Sequence, residues 1–293
     1  MFGFENDEAS SMLVLGALVV AAVFGIAINS FLLHVGKKLL EKSMSIKMIY
    51  IIGVADLLLC GVTLLLCSLR PVLGFPEAYH SKLYCPVLSS GVFFSSSMSG
   101  ILMGFLAMER YSVICHRESL SPNIVWPLLG VVSLTFAVFL AGNSINGGFA
   151  PDPTFIFCMP KGTEWSLCAN YAFNLLLNIP ILVLTFCYIS IFAKCYRANV
   201  PDQDKKATKR AALRSLLFLC VYFICYIPKV STTVIGLFYG LDAPPRVLYM
   251  LAPICMTLLA IINPILVFMM HRQIKDAARS AILPKHATSL LLE

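Results

Sequence analysis

Three groups of residues in this chain are of types that do chemistry rather than fill space. The first is Cys85 together with the run Glu109-Arg110-Tyr111. A thiol can cross-link in an oxidising compartment, and a carboxylate beside a guanidinium can restrain a cation and release it. About 25 residues separate the two, so as α-helix they stand about 37 Å apart, one in each aqueous layer of a bilayer. The second is Asp56, set in Ala55-Asp56-Leu57-Leu58-Leu59. Asn29, Ser99 and Asn263 fall at a similar depth in other apolar runs. A carboxylate ringed by amide and hydroxyl oxygens can hold a small hydrated cation such as sodium; the plainer alternative is a hydrogen-bonded network with no ion. The third is Lys229, directly after Pro228 and about ten residues, or roughly 15 Å, below the outer end of its run. A buried ammonium needs water, backbone carbonyls or an acidic ligand group, unless its stem carries it up to loop acids such as Asp242 or Glu164.

The elements that must position these residues are membrane spans. The chain of 293 residues is 59% hydrophobic and only 13% charged, about half the charge of an ordinary soluble domain. Its mean hydropathy is +0.84. Seven runs are long enough to cross a bilayer, near 12–36, 46–68, 85–112, 124–142, 169–193, 211–238 and 247–270. The predicted architecture is an all-α membrane protein: an N-terminus at 1–11, a seven-helix bundle at 12–270, and a helix and tail at 271–293. In that last segment Ile274, Ala277, Ala278, Ala281 and Ile282 share one helical face, with Arg272, Lys275 and Arg279 off it. This predicts a short amphipathic helix on the membrane surface, ended by Pro284.

Of the 22 Lys and Arg, 17 lie in or beside the connections after the first, third and fifth runs and in the tail. The positive-inside bias places those in the cytoplasm and the N-terminus, with Glu5, Asp7 and Glu8, outside. The first run is then expected to be an uncleaved anchor, and no glycosylation sequon precedes it. The net charge of +7 fits anionic membrane lipid and requires no nucleic acid. Of the eleven cysteines, Cys85, Cys158 and Cys168 face the oxidising side. One pairing is expected; Cys85–Cys158 would tie the third helix to the second outer loop, leaving Cys168 over.

Pro180, Pro228 and Pro264 interrupt the fifth, sixth and seventh runs beside Tyr188, Tyr226 and Asn263, as hinges would. With these residues in view the chain resembles a rhodopsin-like, class A G-protein-coupled receptor over nearly its full length. Asn29, Asp56, Trp126, Pro180 and Tyr188 fit that family's positions, and Cys85 and Arg110 have its spacing. Cys225-Tyr226-Ile227-Pro228 resembles its helix-six element with tyrosine in the tryptophan slot; Asn263-Pro264 fits its helix-seven element, with Val267 in the tyrosine position. Thr208 stands where many relatives carry an acid that pairs with the helix-three arginine, so Arg110 is expected to be held mainly by Glu109, with some basal activity.

The run Met108 to His116 resembles the corresponding run of vertebrate odorant receptors, and Cys158 and Cys168 have the spacing of two of that family's three loop cysteines. The third would fall at Gly148, and is absent. The chain is most similar to a divergent, fish-type odorant receptor, with another class A receptor for a small non-amine ligand as the alternative. The resemblance implies a ligand pocket at Ser89, Val92, Phe93, Ser96, Tyr226, Lys229, Thr233 and Thr257. It implies a switch and G-protein contact at Glu109, Arg110, Tyr111, Tyr188, Tyr226, Pro228, Asn263 and Pro264. It further implies a Cys85–Cys158 disulfide, sodium as a possible ion at Asp56, Ser99 and Asn263, a plasma-membrane location and a stimulatory heterotrimeric G protein as partner. Val92 in the amine-binding position and Thr257 near the retinal-lysine position argue against an amine or a Schiff base. An enzyme is not expected: His34, His80, His116, His271 and His286 are scattered with no ligand spacing. A transporter would need more spans or an inverted repeat.

Overall fold

Lipid offers no hydrogen-bond partners, so each apolar run must close its own backbone bonds as a helix. The computed structural model describes residues 8–40, 43–73, 84–151, 157–160, 164–197, 202–239 and 244–282, with side chains left undescribed at several of these positions, 164–177 and 202–212 among them. Within these residues the helices are α1 (Glu8–Lys37), α2 (Met44–Leu73), α3 (Tyr84–Tyr111), α4 (Pro122–Ile145), α5 (Glu164–Arg197), α6 (Asp202–Tyr239), α7 (Arg246–Met270) and α8 (Arg272–Ile282). The first seven are long and apolar enough to cross a membrane, and the chain is a multi-pass bundle.

Helix α3 is the axis. Of its most apolar window 61% is buried, against 22% for α4, which lies at the periphery. It packs against α2, α4 and α5, while α7 closes the ring against α1, α2 and α6. Leu102 and Met103 of α3, Ile49 of α2 and Leu184 of α5 are almost fully enclosed in the main core. On the outer face Leu13, Leu134, Leu182 and Phe186 stand exposed, as lipid-facing side chains do.

Three features were not legible in the apolar pattern. Helices α5 and α6 run past the expected segments, to Arg197 and back to Asp202, so most of the connection read as a basic loop is helix. Hydropathy marks only the part of a helix that lies in lipid; the backbone ladder continues into water. Helix α3 does not stop at Tyr111 but widens into a π-turn over Ser112–His116, closed by Arg117 in the left-handed region at φ 62°. The all-helical expectation also omits a small hairpin. Strands β1 (Phe149–Pro151) and β2 (Cys158–Pro160) pair antiparallel, with Ala150 opposite Met159.

After α7 the chain turns sharply at His271, whose backbone is extended while its N–H still donates to Val267 O at 2.9 Å. Helix α8 then lies across the end of α1 and α7. Ile274 and Ala278 are buried, and Lys275 and Arg279 exposed, as its pattern requires. Pro284, the expected stop, lies outside the described residues.

Candidate functional site

Three polar sites are stacked along the bundle: one at the end carrying Cys85, one at mid-depth and one at the end carrying Arg110. The mid-depth site holds Asp56 of α2, which is 1% exposed. Asn263 Nδ2 donates to Asp56 Oδ2 at 3.0 Å and points also at Ser99 Oγ at 3.3 Å, joining α7 to α2 and α3. A buried carboxylate with two such partners is compensated in part, and Asn263 Oδ1 is left without a partner. Asn29 does not join them. Its Nδ2 donates to Gly25 O at 2.9 Å and Ala260 O at 2.8 Å, which fixes α1 to α7 instead. Tyr222 and Tyr226 of α6 line the same small cavity with parallel rings 5.9 Å apart. Tyr226, expected in the ligand pocket, therefore faces the space beneath it.

At the Arg110 end Glu109 still favours the Arg110 charge, and a second, unforeseen partner makes the hydrogen bonds. Glu109, 4% exposed, accepts a hydrogen bond from Leu120 N at 2.9 Å and so pins the connection after the π-turn. Arg110 is held by His271: Nη2 lies 2.6 Å from both ring nitrogens and donates to whichever is unprotonated. Burial, reinforced by the guanidinium alongside, pushes His271 down to about 3, so the ring is neutral and can accept. Neighbouring contacts brace this end. The Tyr111 ring meets His116 edge-on at 5.2 Å and packs on Phe186 of α5, and Lys194 donates to the Cys115 carbonyl. Tyr188, Pro228, Pro264 and Val267 are buried within the bundle. The side chain of Thr208 lies outside those described. His271 escaped sequence reasoning because a lone histidine after a span has no motif, and 161 residues separate it from Arg110.

At the other end a disulfide joins Cys85 to Cys158, tying the first turn of α3 to β2. Cys168 has no described side chain. The β1 turn is tight: Gly148 N donates to Asn143 O at 2.8 Å, and a Cβ on Gly148 would stand 1.9 Å from Asn143 Oδ1 and 2.9 Å from Asn143 O. A cysteine cannot take that place without displacing backbone.

Beneath the disulfide is a cavity of about 60 Å³, open in part to solvent. Ser89, Val92, Phe93, Ser96, Lys229 and Thr257 line it, as the sequence suggested. The α2 residues Leu59 and Thr63, and Phe157 before β2, line it too and were not foreseen. Thr233 has no described side chain, and no described α5 residue lines the cavity. Lys229 Nζ sits 4.7 Å from the centroid of the Phe93 ring, a cation over an aromatic face, and Phe93 is in turn stacked at 6.2 Å on Phe149 of β1. The lysine head thus points across the bundle to α3.

Comparison with known proteins bears on this arrangement. Residues 32–266 match the model of the 7 transmembrane receptor (rhodopsin family). The chain is 24% identical to proteinase-activated receptor 2 of Rattus norvegicus, over 96% of this chain and 76% of that protein. It is 24% identical to cysteinyl leukotriene receptor 2 of Mus musculus, over 70% of each. It is 26% identical to rhodopsin of Leucoraja erinaceus, over 60% of this chain and 54% of that protein.

Proposed function

We infer that this chain, which belongs to the rhodopsin family of seven-transmembrane G-protein-coupled receptors, is a plasma-membrane receptor for a small molecule, with its N-terminus outside. The observation that carries the reading is the pairing of an apolar cavity at the Cys85 end with a releasable arginine at the other. Ligand enters the cavity under the disulfide-tied hairpin. It acts only through a difference in affinity between two states of the bundle. In the state described here Arg110 is occupied by a neutral histidine, a partner held by hydrogen bonding alone. In the second state α6 swings out at the Arg110 end about Pro228, Arg110 leaves His271, and the opened cleft takes the C-terminal helix of a G-protein α subunit. Tyr111, Tyr188 and Pro264 line the path of that rearrangement.

Between the two ends lies the polar core. Asp56 Oδ2, Ser99 Oγ and the unpartnered Asn263 Oδ1 are hard oxygen donors of the kind a sodium ion takes, and they would hold it. Such an ion would supply positive charge beside Asp56 and favour the state in which these three residues meet.

The finer reading is an odorant-type receptor coupled to a stimulatory G protein that raises cAMP. The run Met108 to His116 and the spacing of Cys158 and Cys168 support it. The crowding at Gly148 counts against the odorant pattern, and a relative named for cysteinyl leukotrienes favours the second reading of a class A receptor for another small non-amine ligand. A ligand panel on receptor-expressing cells, read as cAMP and as nucleotide exchange on purified heterotrimeric G proteins, tests both. Exchange without cAMP supports the second reading, and transport or turnover without exchange refutes the receptor itself.

A further inference from the structure

The cavity beneath the disulfide has an unusual polar content. Five of its lining residues carry aliphatic hydroxyls. Three of these are satisfied by nearby backbone: Ser96 donates to Phe93 O, Thr232 to Lys229 O and Thr257 to Pro253 O, at 2.8 to 3.2 Å. That is the ordinary habit of a helical hydroxyl, and Ser133, Ser144 and Thr185 follow it elsewhere in the bundle. Ser89 and Thr63 do not. Both are buried, at 1% and 0% exposure, and neither hydroxyl has a partner. They stand on facing helices, α3 and α2, in the wall of one cavity. Ser89 is one helical turn from Phe93, over whose ring the ammonium of Lys229 lies.

Lys229 thus brings a full positive charge into this space. Among the described residues no carboxylate pairs with it. A ring quadrupole compensates a cation only in part, and even a partly buried charge with no ionic partner is costly. The ammonium has donors left, and the two idle hydroxyls add two more. The remaining wall is apolar, with Leu59, Val92, Phe157 and Met256 prominent.

We propose that this cavity binds a small organic monocarboxylate, with the carboxylate on Lys229, its free lone pairs taking hydrogen bonds from Ser89 and Thr63, and an apolar body against the remaining walls. A single negative charge matches the single cation. A phosphate monoester would bring a second charge with no counter-ion, and an amine would set two cations together. A neutral ester or amide leaves the ammonium unpaired. The proposal rests on the receptor reading and narrows its ligand class.

The test uses the purified full-length receptor in lipid nanodiscs. Short- and medium-chain, branched and aryl carboxylic acids are each paired with their methyl ester and the corresponding primary amine. Binding is read as thermal stabilisation against concentration, and nucleotide exchange on G protein is followed in parallel. Several acids are expected to stabilise the receptor, with the matched esters about 10- to 100-fold weaker, the range for loss of a charged hydrogen bond. Lys229→Met should weaken the acids by a similar factor and leave the esters unchanged, whereas Lys229→Arg should retain the acids. Ser89→Ala and Thr63→Val should each cost the acids a smaller factor. Acids and esters of equal affinity, acid binding indifferent to Lys229→Met, or no stabilisation by any acid would each overturn the proposal. The acid-to-ester comparison on the unmodified receptor stands even if a variant fails to fold. Neutral ligands that drive exchange without regard to Lys229 would remove the carboxylate site and leave the receptor reading intact. Lys229-dependent acid binding with no exchange on any G protein would keep the site and remove the receptor reading.

Discussion

At the scale of single residues the arginine and its histidine partner have the most direct consequence. Arg110 donates to His271, and a neutral ring is a weaker anchor than a carboxylate. His271→Phe removes the acceptor and should raise ligand-independent nucleotide exchange several-fold at matched surface expression. Arg110→Ala should abolish exchange while expression persists, since the group released to the G protein is gone. The histidine also gives a pH dependence with a definite sign. Its ordinary value is 6.5, and in this state burial holds it near 3. A state in which the ring reaches water takes up a proton as the pH falls through 6.5, while the state described here does not until near 3. The contribution that keeps Arg110 latched is therefore complete above 6.5 and declines as the pH falls below it, by at most about tenfold in the equilibrium per pH unit. Basal exchange should rise when the Arg110 face is brought to mildly acid pH. The rise should vanish in His271→Phe; a rise of equal size in that variant would falsify the latch.

At the scale of elements the hairpin of β1 and β2 carries two constraints. The disulfide joins residues 73 apart in sequence and so removes much freedom from the unfolded loop. Cys85→Ser is expected to cut surface delivery strongly, as loss of such a link does in small secreted domains, where it costs ~2–5 kcal/mol. Peptide mapping of the mature receptor should find Cys85 and Cys158 in one cross-linked pair. The turn before β1 is the second constraint. A Cβ at Gly148 meets the Asn143 side chain, which can move, and its carbonyl, which is fixed in α4. Gly148→Ala should lower the melting temperature, by an amount equivalent to about 1–3 kcal/mol of overpacking. Asn143→Ala in the same chain should restore only part, because the backbone contact remains. Both variants should also disturb Lys229, since Phe149 supports the ring over which it lies.

At the scale of the whole molecule the Asp56 core is the point where α2, α3 and α7 meet. If the core holds sodium in the state that latches Arg110, sodium and agonist oppose one another by linkage. Raising sodium against an N-methylglucamine control should weaken agonist binding and reduce basal exchange in the unmodified receptor. Asp56→Asn removes the charge but keeps the size, and should abolish that sensitivity. Equal responses to both cations would mean that the network works without an ion. Partial separation of the three sites is expected: Asp56→Asn should leave the acid-to-ester preference of the outer cavity in place.

The sequence by itself determined what depends on depth. The length of each apolar run, the bias of Lys and Arg, and a charge or proline inside a run are local facts that a bilayer converts directly into position. On that basis the spans, the levels of Asp56 and Lys229 and the placement of Cys85 opposite Arg110 were all readable. What only the tertiary structure decided was azimuth, the direction each side chain faces around its helix. In lipid both the outward and the inward faces are apolar, so periodicity cannot tell them apart. For that reason Tyr226 was assigned to the ligand cavity and faces the polar core, while Thr63 was overlooked and lines the cavity. The partner of Arg110 was hidden for a related reason. Glu109 is its sequence neighbour, but the carboxylate goes to Leu120 N, and the nitrogen that meets the guanidinium comes from a turn brought there only when α7 closes the ring.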